Sequence, residues 1–273
     1  MIAIGERING QFEDVRKAIA GKDKKVVQDL ATKQTKAGAR YLDVNVGTAA
    51  ADQKAAMQWL VTTIQEVSRT PLCLDSQKPD VIRSGLQAAD TSMGIMLNSS
   101  PLNKKSDPEV LDKYIEMAKA NNGVLITLTM DKDGVPQNVE KRVEIAAYIV
   151  GKAMELDFPV NKLYIDPIVL PVNVPGAQTQ PGYILEALRQ IKILNDPAPM
   201  TTVGLSNVSQ GTSERSLINR IFLSMAISAG LDSGIVDVFD DELMDVVAAT
   251  EMLLNKQIYS DSFLKAYRAL QAG

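Results

Sequence analysis

The sequence predicts an α/β fold of the (β/α)8 TIM-barrel type, on three observations. Eight short apolar runs recur along the 273 residues, amphipathic stretches at helical spacing separate them, and most runs end in Asp, Asn or Ser. Strand-length runs alternating with helical patterns indicate parallel strands joined by helices. At this length a closed eight-stranded barrel is expected as a single domain spanning residues 1–273. A doubly wound open sheet is the alternative. No glycine-rich GxGxxG or Walker sequence follows any run, which weighs against it.

The runs lie at residues 2–5, 41–46, 72–74, 94–97, 124–128, 163–165, 202–205 and 234–236. Helical spacing is carried by Val26, Val27, Leu30 and Ala31, and by Met57, Leu60, Val61 and Ile64. It continues through 110–120, 139–154, 184–194, 217–229 and 243–254. One connection stands apart. Residues 167–182 hold Pro167, Pro171, Pro175, Gly176, Pro181 and Gly182, and are too long for an ordinary βα turn. Loops of that length are often functional, here as a docking or gating segment, with a plain structural excursion as the other reading.

Composition narrows the chemistry. The 45% hydrophobic content supports a sizeable core, and the net charge of −4 argues against a nucleic-acid surface. No apolar stretch approaches the ~18 residues of a membrane span. The chain opens directly on an apolar run without a basic segment before it, so no secretory leader is expected. Histidine is absent. That removes Ser-His-Asp and Cys-His hydrolysis, HExxH metalloprotease chemistry, histidine-ligated zinc, haem on a proximal histidine, and any corrinoid held by a histidine of this chain. The one cysteine, Cys73, allows no internal disulfide, which fits a reducing cytoplasm. Within Leu72-Cys73-Leu74 it reads as a buried thiol acting as a small hydrophobe.

The ends of the runs carry the functional signal. The first ends in Glu6-Arg7-Ile8-Asn9, the second contains Asp43 and Asn45, the third ends in Asp75-Ser76 and the fourth in Asn98-Ser99-Ser100. The sixth ends in Asp166, the seventh in Ser206-Asn207 and the eighth in Asp237. In a barrel the C-terminal strand ends converge on one face, so these side chains share one bowl. Any single Asx residue is equally a helix cap or turn residue; a whole ring is not. Carboxylates accept hydrogen bonds and amides both accept and donate, which suits a ligand with an amino-amide edge. A Mg²⁺ site is the rival reading. No run ends in Lys, against an enolase-like or Schiff-base site, and Lys132 in Asp131-Lys132-Asp133-Gly134 reads as an exposed turn. Asp240-Asp241-Glu242 reads as the acidic first turn of a helix rather than a metal site.

Six segments in order resemble a known family: Gly5-Glu6-Arg7-Ile8-Asn9-Gly10, Asp43-Val44-Asn45-Val46-Gly47, Leu74-Asp75-Ser76, Asn98-Ser99, Tyr164-Ile165-Asp166-Pro167 and Gly204-Leu205-Ser206-Asn207-Val208-Ser209-Gln210. They resemble the pterin-binding methyltransferases that move a methyl group between tetrahydrofolate and a corrinoid protein, such as the corrinoid/iron–sulfur protein methyltransferases of acetogens. The similarity runs on through Leu217-Ile218-Asn219-Arg220 to Tyr259-Ser260-Asp261-Ser262-Phe263. The folate module of cobalamin-dependent methionine synthase and dihydropteroate synthase share the fold more distantly.

The resemblance implies a pterin-binding, dihydropteroate synthase-like barrel, a homodimer, and tetrahydrofolate or its 5-methyl form as substrate. It places the pterin edge on Asp75, Asn98 and Asp166, the N5 contact on the catalytic Asn207, and further lining on Gly204, Ser206, Gln210 and Ile235. It implies a cobalt supplied by a corrinoid partner protein, with no resident metal, nucleic acid or membrane. Dihydropteroate synthase activity would want a basic residue near the end of the seventh run, where this chain has Asn207. Two settings stay open: the second methyltransferase of a demethylase system, or the acetyl-forming carbonyl pathway. A non-catalytic pterin binder is a third.

Overall fold

The computed structural model describes residues 1–260 and 262–272. Asp261, within the last segment of the resemblance, and Gly273 lie outside the described residues. Eight strands pair in parallel in the order β7-β6-β5-β4-β3-β2-β1-β8. They are β1 (Ile2–Asn9), β2 (Tyr41–Asn45), β3 (Leu72–Asp75), β4 (Ile95–Pro101), β5 (Val124–Leu128), β6 (Leu163–Asp166), β7 (Met200–Thr201) and β8 (Ser233–Val236). Helices α1 (Glu13–Gly21) and α2 (Lys24–Lys36) follow β1; α3 (Gln53–Gln65), α4 (Pro79–Ala88), α5 (Val110–Ala120), α6 (Val139–Glu155), α7 (Gln180–Ile191) and α8 (Arg215–Ser228) follow the next six strands. α9 (Asp241–Leu253) and α10 (Phe263–Ala272) complete the order. Between β7 and β8 the seam closes at one point: Gly204 bridges Ile235 in parallel, and the Ile235 N–H donates to the Val203 carbonyl at 2.9 Å. The result is the (β/α)8 barrel.

Two hydrophobic cores follow from strand alternation, because successive side chains point to opposite faces. The outward face packs under the helices as the main core. The inward face makes a separate floor inside the barrel: Ile4, Cys73, Met96, Ile126 and Tyr164 are buried together. Tyr41, Met200 and Ile235 pack against them, so every strand contributes. Two residues further along the same inward face stand Glu6, Asp43, Asp75, Asn98, Asp166 and Asp237. The polar bowl is the next layer above a sealed apolar floor. Cys73 belongs to that floor, fully buried, and burial pushes its thiol well up.

The structure departs from sequence periodicity in identifiable ways. β1 continues to Asn9 and β4 to Pro101, so Glu6, Asn98, Ser99 and Ser100 are strand residues rather than loop residues. β7 is only Met200–Thr201, upstream of the predicted run 202–205, because the chain then turns into a short 3-10 helix at Leu205–Asn207. Helices α1 and α4 are not among the helical stretches read from the sequence; both are short, with apolar faces of only a few residues, Val15, Ala18 and Ile19 on α1 and Val81 and Ile82 on α4. The buried face of α4 is Val81, Ile82, Ser84 and Gly85, and small residues are needed there: a Cβ on Gly85 would lie 2.9 Å from Leu74 and from Met57. Pro181 and Gly182 belong to the first turn of α7 rather than to the preceding loop. Asp240 is the N-cap of α9, accepting from the Leu243 N–H at 3.0 Å and pairing with Arg220. No helix among the described residues is long and apolar enough to cross a membrane.

Candidate active site

Strand register explains how the bowl is wired. Asn45 pairs with Asp75 across β2 and β3, and Asp75 with Asn98 across β3 and β4. Asn45 Nδ2 donates to Asp75 Oδ2 at 2.5 Å, while Asn45 Oδ1 accepts from the Gly47 N–H at 2.6 Å. Asn98 Nδ2 donates to Asp43 Oδ1 at 3.2 Å. One proton of each amide is therefore committed to a carboxylate, and the second amide proton stays available to a ligand. The Asn98–Ser99 peptide is cis, and β4 shifts register between Asn98 and Ser100. Gly10 lets the turn after β1 lie against the end of β2, since a Cβ there would sit 2.1 Å from the Val46 carbonyl oxygen.

On the far side of the barrel Asp166 ends β6. Its Oδ1 accepts from the Ile168 N–H at 2.7 Å. Ile168 has φ +61°, a left-handed conformation that costs a β-branched residue roughly 1–3 kcal/mol. At the seam, Gly204 and Ile235 form the closing bridge. Ser206 Oγ lies 2.9 and 3.0 Å from the two carboxylate oxygens of Glu6. Asn207 is exposed at the rim, and its side chain makes no hydrogen bond among the described residues. A Cβ on Gly204 would lie 3.0 Å from Asn207 Nδ2, so the glycine makes room for that amide. Gln210 is also exposed, one turn further on.

Burial dominates the electrostatics. It raises Asp75 to about 6 against the hydrogen bond from Asn45, and Asp166 to about 7 against the Ile168 N–H and the Arg142 charge. Asp43 is raised well above the ordinary carboxylate range by burial and by the neighbouring Asp75. Burial also raises Glu6, with the Ser206 hydroxyl opposing and Asp237 adding. Desolvated carboxylates of this kind are typical of ligand sites, where donors on the ligand supply the missing stabilisation. Among the described residues no three His, Cys, Asp or Glu side chains are grouped to hold a metal ion.

The predicted residues therefore fall on one face. Asp75 and Asn98 are register neighbours, Asp166 stands at the same inward level two strands from β4, and Gly204, Ser206, Asn207, Gln210 and Ile235 line the seam side. Glu6, Asp43 and Asn45 belonged to the ring of strand-end residues, but no role was assigned to them from sequence. Their position two residues beyond a floor residue, or two beyond Asp43, is the signal that places them. Arg142 gave a different signal. It lies on the buried stripe of α6 with Ile145, Ala146, Ile149 and Ala153, a charge at a core position of the helical repeat.

A sequence model described as pterin binding enzyme matches residues 9–237. The chain is 32% identical over 275 residues to a methylcorrinoid:tetrahydrofolate methyltransferase of Eubacterium limosum, covering 100% of this chain and 98% of that protein. It is 31% identical over 244 residues to a methionine synthase of Mycobacterium leprae, covering 86% of this chain but only 20% of the relative's length. In three dimensions it is similar to a dihydropteroate synthase from Yersinia pestis, with a TM-score of 0.65, 15% identity, and coverage of 93% and 94% of the two chains. A dihydropteroate synthase from Xanthomonas albilineans in complex with 7,8-dihydropteroate gives 0.62 and 16%, with 94% of each chain covered. These structural similarities speak for the fold.

Proposed function

The chain belongs to the pterin-binding enzyme family, and from that premise we propose that it transfers a methyl group between N5 of tetrahydrofolate and the cobalt of a corrinoid carried by a separate protein. The observation that carries the reading is the layer of carboxylates and amides above the apolar floor, Asp75, Asn98 and Asp166 at one level, in a chain similar along its whole length to a methylcorrinoid:tetrahydrofolate methyltransferase. That similarity favours the direction from methylcorrinoid to tetrahydrofolate, as in a demethylase system.

In this reading Asp75 and Asp166 accept from the pterin ring N–H groups and the exocyclic amino group. Asn98 spends one amide proton on Asp43 and offers the other to the pterin carbonyl. Gly204, Ser206, Gln210 and Ile235 line the remaining wall. Asn207, whose amide is uncommitted, donates to N5. In the favoured direction the N5 lone pair attacks the methyl carbon, cobalt(I) leaves with the bond pair and N5 gives up its proton. In reverse, cobalt(I) takes the methyl carbon and the N5–CH3 pair returns to N5. The Asn207 bond then strengthens as charge develops there, a donor worth roughly 2.7–4 kcal/mol of transition-state stabilisation once the bound substrates exclude water. An Asn amide does not itself release a proton, so N5 exchanges its proton with solvent through water at the carboxylates, losing it as the methyl group arrives and regaining it in the reverse direction. The chain has no histidine to serve as an axial cobalt ligand, so the corrinoid is treated as a partner-borne substrate that must reach the open mouth of the barrel.

We also propose that residues 1–273 act as one domain in a cytoplasmic homodimer. The single unpaired Cys73 supports the compartment. Leu217, Ile221 and Met225, an exposed apolar stripe along α8, support a second copy.

The test is an anoxic spectrophotometric assay of the purified chain with 5-methyltetrahydrofolate and cob(I)alamin. Methylcobalamin should form, and its formation should be lost in Asn207→Ala while pterin still binds. A chain that binds no pterin would refute the reading.

A further inference from the structure

Arg142 is fully buried, yet no carboxylate among the described residues forms an ion pair with it. Its Nε donates to the Pro167 carbonyl at 2.9 Å, Nη1 to the Asn138 carbonyl at 3.1 Å and Nη2 to Gln180 Oε1 at 2.7 Å. Gln180, in the first turn of α7, is held in turn by its Nε2, which donates to the Gln137 carbonyl at 3.0 Å. A buried guanidinium surrounded by neutral acceptors is costly, and packing alone does not call for it.

The Pro167–Ile168 peptide links Arg142 to the site. Its carbonyl takes the Arg142 Nε–H, and its N–H points back to Asp166 Oδ1 at 2.7 Å. The φ of +61° at Ile168 accompanies that reversed direction. Cation, peptide dipole and carboxylate thus stand in series, with the positive end of the dipole on Asp166. The same guanidinium ties together the start of the long segment after β6 and the start of α7.

We propose that Arg142 is a positioning residue for Asp166, acting through the Pro167–Ile168 peptide to hold the carboxylate in the orientation that receives the pterin edge. This rests on the assignment of Asp166 to pterin binding made above. The charge has a second effect: it counters the burial that raises Asp166 to about 7. Arg142, on α6, is the charged group acting on Asp166 among the described residues. On either side β5 ends at Leu128, followed by Thr129, and β7 ends at Thr201, none of which titrates.

The test is calorimetric titration of 5-methyltetrahydrofolate into the full chain between roughly pH 6 and 9, in wild type, Arg142→Gln, Arg142→Lys and Gln180→Glu. Wild-type affinity should fall as pH drops through about 7, where Asp166 takes up a proton. In Arg142→Gln that limb should move up by about one pH unit, giving roughly fivefold weaker binding at pH 7 and about tenfold at pH 6, with only a small loss left at pH 9 from the looser carboxylate. Arg142→Lys should restore part of the shift. Gln180→Glu keeps the side-chain length and the acceptor for Arg142 Nη2, gives up the donor to the Gln137 carbonyl and neutralises the guanidinium in place, so it should move the limb upward as well, and it decides the matter if Arg142→Gln fails to fold. A merely structural Arg142 would weaken binding equally at every pH. A limb unmoved in the folded variants, with wild type binding normally, overturns this proposal alone. A wild-type chain that binds no pterin at any pH overturns the reading of the site and this proposal with it.

Discussion

Replacing Asp166 with Asn should stabilise the ligand-free protein, and do so increasingly as pH rises. Asp166 is 9% exposed, and burial raises its carboxyl from 3.8 to about 7. A raised folded value means the fold prefers the neutral form. The stability this group contributes is fully present below about pH 3.8, where folded and unfolded chains are both protonated, and is lost as pH rises through 7. Each pH unit between the two values is worth about 1.4 kcal/mol, so the ionised aspartate costs the empty fold on the order of 4 kcal/mol at pH 8.5. At pH 5.5 the cost is about half of that, because only the unfolded chain has ionised. Asn keeps the acceptor for the Ile168 N–H but buries two new donors, a penalty of roughly 1–3 kcal/mol that does not depend on pH. The difference between wild type and Asp166→Asn should therefore grow by roughly 2 kcal/mol between pH 5.5 and 8.5, or about 4–8 °C in Tm for a chain of this size. Circular-dichroism melting at the two pH values measures it. An equal difference at both, or a larger advantage for Asn in acid, would refute the assignment of a desolvated carboxylate. The same variant should lose pterin binding, since stability and ligand recognition compete at this position.

Three further outcomes follow from the geometry. Gly204→Ala places a methyl group 3.0 Å from Asn207 Nδ2, so methyl transfer should fall at least about tenfold while pterin affinity changes little; matched losses in rate and affinity would count against the N5 role of Asn207. Asp75→Ala removes a charged acceptor and should weaken 5-methyltetrahydrofolate binding roughly 10–100-fold by titration, with unchanged binding contradicting its place on the pterin edge. Treatment with a chelator should leave turnover of free cob(I)alamin unchanged; a loss restored by Mg²⁺ would favour the metal reading of the aspartate ring.

The sequence alone determined the alternation of eight strands with helices, which favours a barrel over an open sheet, and the polar character of the strand ends. These follow from local periodicity. Alternation within each strand puts Ile4, Cys73, Met96 and Tyr164 on the inward face, and the same alternation puts Glu6, Asp75, Asn98 and Asp166 one layer above. The sequence also made Asp240-Asp241-Glu242 legible as the acidic start of a helix, since such charges act within one turn; the structure puts Asp241 and Glu242 in the first turn of α9 and Asp240 at its N-cap. The helix α4 is harder to read, because it spans only Pro79–Ala88 and its buried face mixes Val81 and Ile82 with Ser84 and Gly85, the glycine required by its close approach to Leu74 and Met57.

Only the tertiary structure decided which polar groups meet. Asn45 donates to Asp75 and Asn98 to Asp43 because β2, β3 and β4 pair in one register, and register belongs to strand pairs rather than to either strand. β7 ends early, and pairing at the seam passes to Gly204, which bridges Ile235 of β8: β8 already pairs with β1, so closing the barrel requires the chain after β7 to reach β8. Arg142 stands at a core position of the α6 repeat, but its acceptors at Pro167 and Gln180, 25 and 38 positions away in the chain, are supplied only by the fold. Periodicity is set by the backbone of each segment, whereas the partners of a buried polar group are set by contacts between distant segments, and it is those contacts that define this site.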